Sequence, residues 1–171
     1  MTETESAEQK QEFKKPEAHE KHRLFEPLAG NFTAKLTMFM GPEPTLSTGK
    51  MVNTLHINGM FLHQDYIGDS SGMFRGFVGK GYFGFSSTKN CYEGFWIDSS
   101  TDSMQIETGQ VDASGKVWEM VSWPIHPSLK AKFKKRSIVT VIDNDRHTVE
   151  MLHTYPNKEE VTVVKIEYTR E

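Results

Sequence analysis

Two rhythms meet at residue 30. Over residues 16–29 apolar side chains recur at spacings of three and four, with Phe25, Leu28 and Ala29 on one face and His22 or Leu24 extending it. From Asn31 the period is two. Phe32, Ala34, Leu36, Met38 and Met40 alternate with Asn31, Thr33, Lys35 and Thr37, as in a strand with one buried face. The first pattern predicts a helix over 16–29. Pro16 suits its first turn, Glu17 suits the positive end of its dipole, Pro27 distorts its last turn, and Gly30 ends it.

The second rhythm continues to the end of the chain, punctuated by turn residues. "GPEP" at 41–44 breaks the first strand, and a second is predicted over 47–57. "NG" at 58–59 predicts a two-residue hairpin turn into a return strand over 60–67. A glycine-rich strand follows "GDSSG", over 74–85, carrying Gly76, Gly79, Gly81 and Gly84; glycines in a strand mark bends or tight corners. Further strands are predicted over 91–98, 104–112, 116–123, 133–142, 147–155 and 161–170. About ten strands joined by mostly short turns form an antiparallel meander. Such a meander closes readily, because closure removes exposed edges. The expected fold is an all-β up-and-down barrel with an N-terminal helix over one end; a two-sheet sandwich is the runner-up. Residues 1–15 are polar and charged, and are expected to be a disordered or loosely attached tail to a single domain over 16–171.

Composition narrows the function. A formal charge of −3 argues against a nucleic-acid binder, which carries a basic face. Cys91 is the one cysteine, so no internal disulfide forms and a reducing compartment is expected. The segment "MTETESAEQKQEFKK" lacks the apolar core of a secretory signal, and no apolar run approaches the roughly 20 residues of a membrane span. A cytoplasmic protein, monomeric or homodimeric, is the expectation.

Gly30-Asn31-Phe32 resembles the Gly-x-Trp signature that opens the first strand of calycins, the lipocalins, fatty-acid-binding proteins and their relatives, with Phe in place of Trp. The resemblance implies a barrel end closed by an arginine of the last strand lying across the aromatic ring. Arg170, in "EYTRE", is the matching residue. From about residue 19 to 170, "HEKHRLFEPLAGNF", "STGKM", "FRGFVGKGYF", "YEGFWIDSS", "ETGQVDASGKV" and "IEYTR" are similar to a bacterial calycin-like family, the domain of unknown function fifteen-seventy-nine. Members there tend to have Trp at Phe32 and Gly-Tyr-Asp where this chain has Gly81-Tyr82-Phe83. The family has no established activity, so the resemblance implies a fold and no mechanism.

Candidate site residues come from strand alternation, since a barrel interior is the default ligand site. Trp96 and Asp98 share a face with Tyr92. Asp98 either orients a ligand or caps the "DSS" turn through its backbone. Gln64 and Tyr66 share a face with Leu62, opposite His63 and Asp65. His153 falls on the inner face of its strand because Glu150 should face water. It is a candidate base, proton donor or axial haem ligand, or a buried histidine satisfied by a neighbour. Tyr168 shares a face with Val164, Ile166 and Arg170, and Tyr168 with Arg136 form a candidate carboxylate site. His19 and His22 lie three apart with no third metal ligand, so a solvated helix face is expected and no metal is assigned. "KAKFKKR" at 130–136 reads as a charged strand edge, with a phosphate or anionic-membrane contact as the minor alternative.

No nucleotide loop, nucleophile elbow or zinc pattern occurs, and "GFVGKGYFG" opens no helix. The favoured function is therefore a non-catalytic barrel that binds a small, mostly apolar molecule, with no cofactor. One alternative is a haem protein or small-molecule enzyme using His153 or Asp98. Another is a filled barrel acting as an interaction module through outer residues such as Phe39, Phe95 and Trp123.

Overall fold

Gly30 is where the chain turns from a helix into a barrel wall. The computed structural model describes residues 17–71 and 75–171. A 3-10 helix, Glu20–Leu28, precedes ten strands: β1 Gly30–Met38, β2 Thr45–His56, β3 Phe61–Gly68, β4 Val78–Ser86, β5 Cys91–Asp98, β6 Gln105–Val111, β7 Val117–Ser122, β8 Lys134–Val141, β9 Arg146–Thr154 and β10 Glu160–Arg170. Each strand pairs antiparallel with its neighbours in sequence, and β1 pairs with β10 through Phe32–Arg170 to Met38–Val164. The result is one closed up-and-down barrel, not two sheets, and no described strand is left with a free edge.

Three local expectations are corrected. The helix starts at Glu20, not residue 16, and it is 3-10. Its buried residues are His22, Phe25 and Leu28, every third position, which a three-residue turn aligns on one face. Pro27 lacks the N–H that an α-helix would direct to Arg23. The "NG" turn is a four-residue loop, 57–60, because His56 and Phe61 are the last pair; Ile57, Asn58 and Gly59 all have positive φ. The glycine-rich strand begins at Val78, after a turn in which Gly76 has φ +72°. Phe74, where it was expected to begin, lies outside the described residues, as do Pro16 and the expected tail over 1–15.

The helix plugs one end of the barrel. The Phe25 ring stacks on Trp118 at 5.2 Å and meets Tyr92 edge-on at 5.7 Å, within a cluster that includes Leu28, Leu62, Phe85, Met120 and Val141. Burial of a side chain the size of Phe25 contributes about 1.5–3 kcal/mol. Polar struts fix the plug: Asn53 Nδ2 donates to Leu28 O at 2.7 Å, and His22 Nε2 lies 3.1 Å from Phe85 O. His22 is therefore buried and bonded, not solvated as expected for the histidine pair, while His19 caps the helix by accepting from Lys21 N.

Arg170 locks this end. Its guanidinium carbon sits 4.6 Å from the centre of the Phe32 ring, a cation–π contact. Nη1 donates to Ala29 O at 2.8 Å, Nη2 to Pro27 O at 3.1 Å and Nε to Asn144 O at 2.8 Å. One side chain thus ties the last turn of the helix to the β8–β9 turn. Gly30 has φ +135°, and a Cβ there would collide with Arg170 Nη1, so glycine is required on both counts. A second core cluster, Phe32, Ala34, Met51, Tyr66, Ile166 and Tyr168, fills the wall beside this lock.

Candidate functional site: a polar row inside the barrel

Since β1 leaves from the helix, odd-numbered strands end, and even-numbered strands begin, at the opposite end of the barrel. There β5 to β9 turn a row of polar side chains inward, Asp98, Gln105, Glu107, Ser122, Lys135 and His153, with Trp96 and Met151 as apolar neighbours on the same face. Three of the polar residues, Ser122, Lys135 and His153, are direct cross-strand partners. Trp96 pairs with Gln105, Gly94 with Glu107, Ser122 with Lys135, and Lys135 with His153. At the same end β10, β1 and β3 turn Val164, Leu36, Met38 and Tyr66 inward, and β2 turns Thr45 and Ser47 inward.

The centre of the row is an ion pair. Lys135 Nζ lies 3.1 Å from Glu107 Oε1 and donates to Gln105 Oε1 at 2.7 Å. Glu107 is 4% exposed and Lys135 8%. Two buried charges persist only with such pairing. Ser122, 3% exposed, completes the row; its Oγ is buried without a hydrogen-bond partner among the described residues.

Asp98 finishes β5. Its Oδ2 accepts from Trp96 Nε1 at 3.0 Å and from Gln105 Nε2 at 3.3 Å, while Oδ1 accepts from Ser100 N at 2.9 Å and from Ser100 Oγ. It therefore does two jobs, capping the turn and holding the indole. That indole lies over Gly79, where a Cβ would overlap its Cζ2. Tyr66 uses Gly49 in the same way. Burial first, and the Asp69 charge second, push the Tyr66 hydroxyl up to about 12.

His153 faces inward beside Lys135. Its Nδ1 is 3.1 Å from Tyr155 Oη, and its ring packs against Phe133 at 4.7 Å. Burial, then the Lys135 charge, then His126, push its pKa down to about 4, so it is neutral at pH 7. His126 joins Phe133 and Tyr155 in the same ring cluster, which closes over this side of the row.

The remaining candidates scatter. Gln64 points inward midway along β3, half-buried, with Asn53 and Gly81 as its cross-strand neighbours. Tyr168 is buried near the helix end, stacked on His147 at 4.5 Å, and burial followed by Tyr66 raises its pKa. Arg136 is the clear correction. It alternates with inward Lys135 and Ser137, faces outward, and pairs with Glu119 at 3.1 Å and Glu160 at 2.8 Å, so it shares no site with Tyr168. His63 also lies outside, its ring 4.6 Å from Tyr82. Phe95 lines a shallow outer groove of about 310 Å³ with Phe61, Tyr82 and Ile106. Phe39 and Trp123 are exposed.

Lys135, Glu107, Gln105 and Ser122 escaped sequence reasoning. A signal for Lys135 exists: alternation back from Val141 through Val139 and Ser137 carries inward phase to Lys135 and on to Phe133. Among the described residues no three His, Cys, Asp or Glu side chains converge as a metal site, and no helix is long and apolar enough to cross a membrane.

Comparison with known proteins supplies no activity. The sequence model of a family described as "Protein of unknown function (DUF1579)" matches residues 17–170. No curated protein matches. The crystal structure of Rv2717c from M. tuberculosis is similar in fold, with a TM-score of 0.62 and 16% identity over 91% of this chain and 99% of that one. A redesigned β-barrel, b11L5F_LGL, matches with a TM-score of 0.48 and 13% identity, over 87% of this chain and 96% of that one.

Proposed function

The chain belongs to the DUF1579 family, whose function is unknown, and from that premise we propose that it is a non-catalytic binding barrel for a small, mostly apolar molecule. One observation carries the reading. Leu36, Trp96, Val149, Met151 and Val164 point into the barrel, yet each is only partly buried. Inward apolar side chains that keep accessible surface are what a guest would cover, and covering them is favourable by roughly 25 cal/mol per Å².

The two-sided end opposite the helix supports the same reading. Leu36, Met38, Tyr66 and Val164 on one side and the polar row on the other suit a molecule with a hydrocarbon body and a single polar end. The plugged end leaves the opposite end as the way in. Nothing in the row resembles a nucleophile held by a base: Ser122 lacks a histidine partner, and His153 is bonded to Tyr155.

Native mass spectrometry of gently purified protein, together with titration by the neutral dye Nile red, tests this. A co-purifying small-molecule mass, or a saturable blue-shifted Nile red signal that Trp96→Ala weakens, is expected. Protein of bare mass that leaves Nile red emission unchanged overturns the proposal.

A further inference from the structure

We propose that the row Ser122–Lys135–Glu107–Gln105 receives the uncharged polar end of the guest, a hydroxyl or a primary amide, and discriminates against carboxylate and ammonium ends. The inference rests on the binding-barrel reading and adds the chemical class of the ligand.

Three features of the row lead there. First, Ser122 Oγ is an orphan: 3% exposed, inward-facing, and without a hydrogen-bond partner among the described residues. Buried polar groups are ordinarily paired, and a guest atom able to donate or accept would pair this one. Second, the charges already cancel. Lys135 and Glu107 face one another at 3.1 Å, and the two bonds assigned to Lys135, to Glu107 and Gln105, account for two of its three N–H donors. A guest oxygen can accept the third. A second net charge would have no counter-ion in a low-dielectric surround and would have to break this pair. Third, neighbouring groups cannot serve a charged end. Asp98 has both oxygens engaged by Trp96, Gln105 and Ser100. His153 is neutral at pH 7, and Arg136 faces outward to Glu119 and Glu160.

A hydroxyl or amide meets each condition. Its oxygen accepts from Lys135, its hydrogen goes to Ser122 Oγ or Glu107, and the pair stays intact.

Three probes with one tail make the test: 1-decanol, decanoate and decylammonium at pH 7, each displacing Nile red from the full chain. Decanol is expected to bind at least about tenfold tighter than either charged probe. Glu107→Gln is expected to move the preference to decanoate, Lys135→Met to decylammonium, and Ser122→Ala to weaken decanol while sparing Nile red. Should a variant fail to fold by circular dichroism, the wild-type ranking decides. Equal affinity for all three, preference for a charged head, or no decanol binding while Nile red binds overturns the head-group inference and leaves the barrel reading standing. Failure of Nile red together with all three probes removes the barrel reading itself.

Discussion

Lys135 and Glu107 oppose each other across β6 and β8 with 3.1 Å between charged atoms, both turned away from solvent. A pair this deeply placed is poor evidence of stabilisation. Desolvating two ions offsets most of their attraction, and removing one partner strands the other. Lys135→Met or Glu107→Leu alone is therefore expected to destabilise by about 3–5 kcal/mol, whereas the double substitution is expected to be neutral or more stable. Urea unfolding of the three variants measures this. A double variant as weak as the singles would show that the pair holds the barrel together rather than equipping it.

The helix lock predicts two losses of similar origin. Gly30→Ala needs φ +135° from a residue with a side chain and drives a methyl into Arg170 Nη1. About 1–3 kcal/mol of strain is expected. Arg170→Lys keeps a charge but loses the fork that reaches Ala29, Pro27 and Asn144. Thermal unfolding reads the stability. Hydrogen exchange is expected to quicken at the helix amides in both variants, while the ladders of β5–β8 stay protected.

Acid should find His147. Burial, helped by the Arg170 charge, pushes its pKa down to about 4 from an ordinary 6.5. The folded state therefore resists the proton that the unfolded state takes up. The contribution of the neutral ring is complete above pH 6.5, falls as pH drops from 6.5 to 4, and is gone below that. The shift corresponds to a loss on the order of 3 kcal/mol. Urea midpoints at pH 7 and pH 4.5 should differ less in His147→Phe than in the wild type, and NMR titration of the His147 ring should show no midpoint near 6.5.

Alternation made most of the wall readable. Phe32, Ala34 and Met38 differ enough from their neighbours that period and phase both stand out, whereas in β5 the period is plain but Phe95 and Ile97 are as apolar as Trp96, so its phase is not. The polar row hides because phase needs contrast. Around residue 135 the chain reads Lys-Lys-Arg, so the buried lysine is told from its outward neighbours only by counting the alternation back from Val141. β6 goes further and inverts the rule, with Ile106 59% exposed and Glu107 buried. Local pattern cannot show that inversion, because it depends on Lys135 arriving from a strand 28 residues later. The helix was legible as an element but not as a 3-10 turn, since spacings of three and four overlap when only Phe25, Leu28 and Ala29 mark the face.

The seam between β1 and β10 converts ten strands into a hoop. A hoop cannot part at one joint without surrendering a whole ladder, seven registered pairs at that seam alone. On the binding-barrel reading, a guest would pass along the axis, at a pace set by the connecting segments at the end opposite the helix. Those segments can be exchanged for longer, shorter or stickier ones while the hoop keeps its circumference. On that reading, guest exchange and structural strength are set by different parts of the chain.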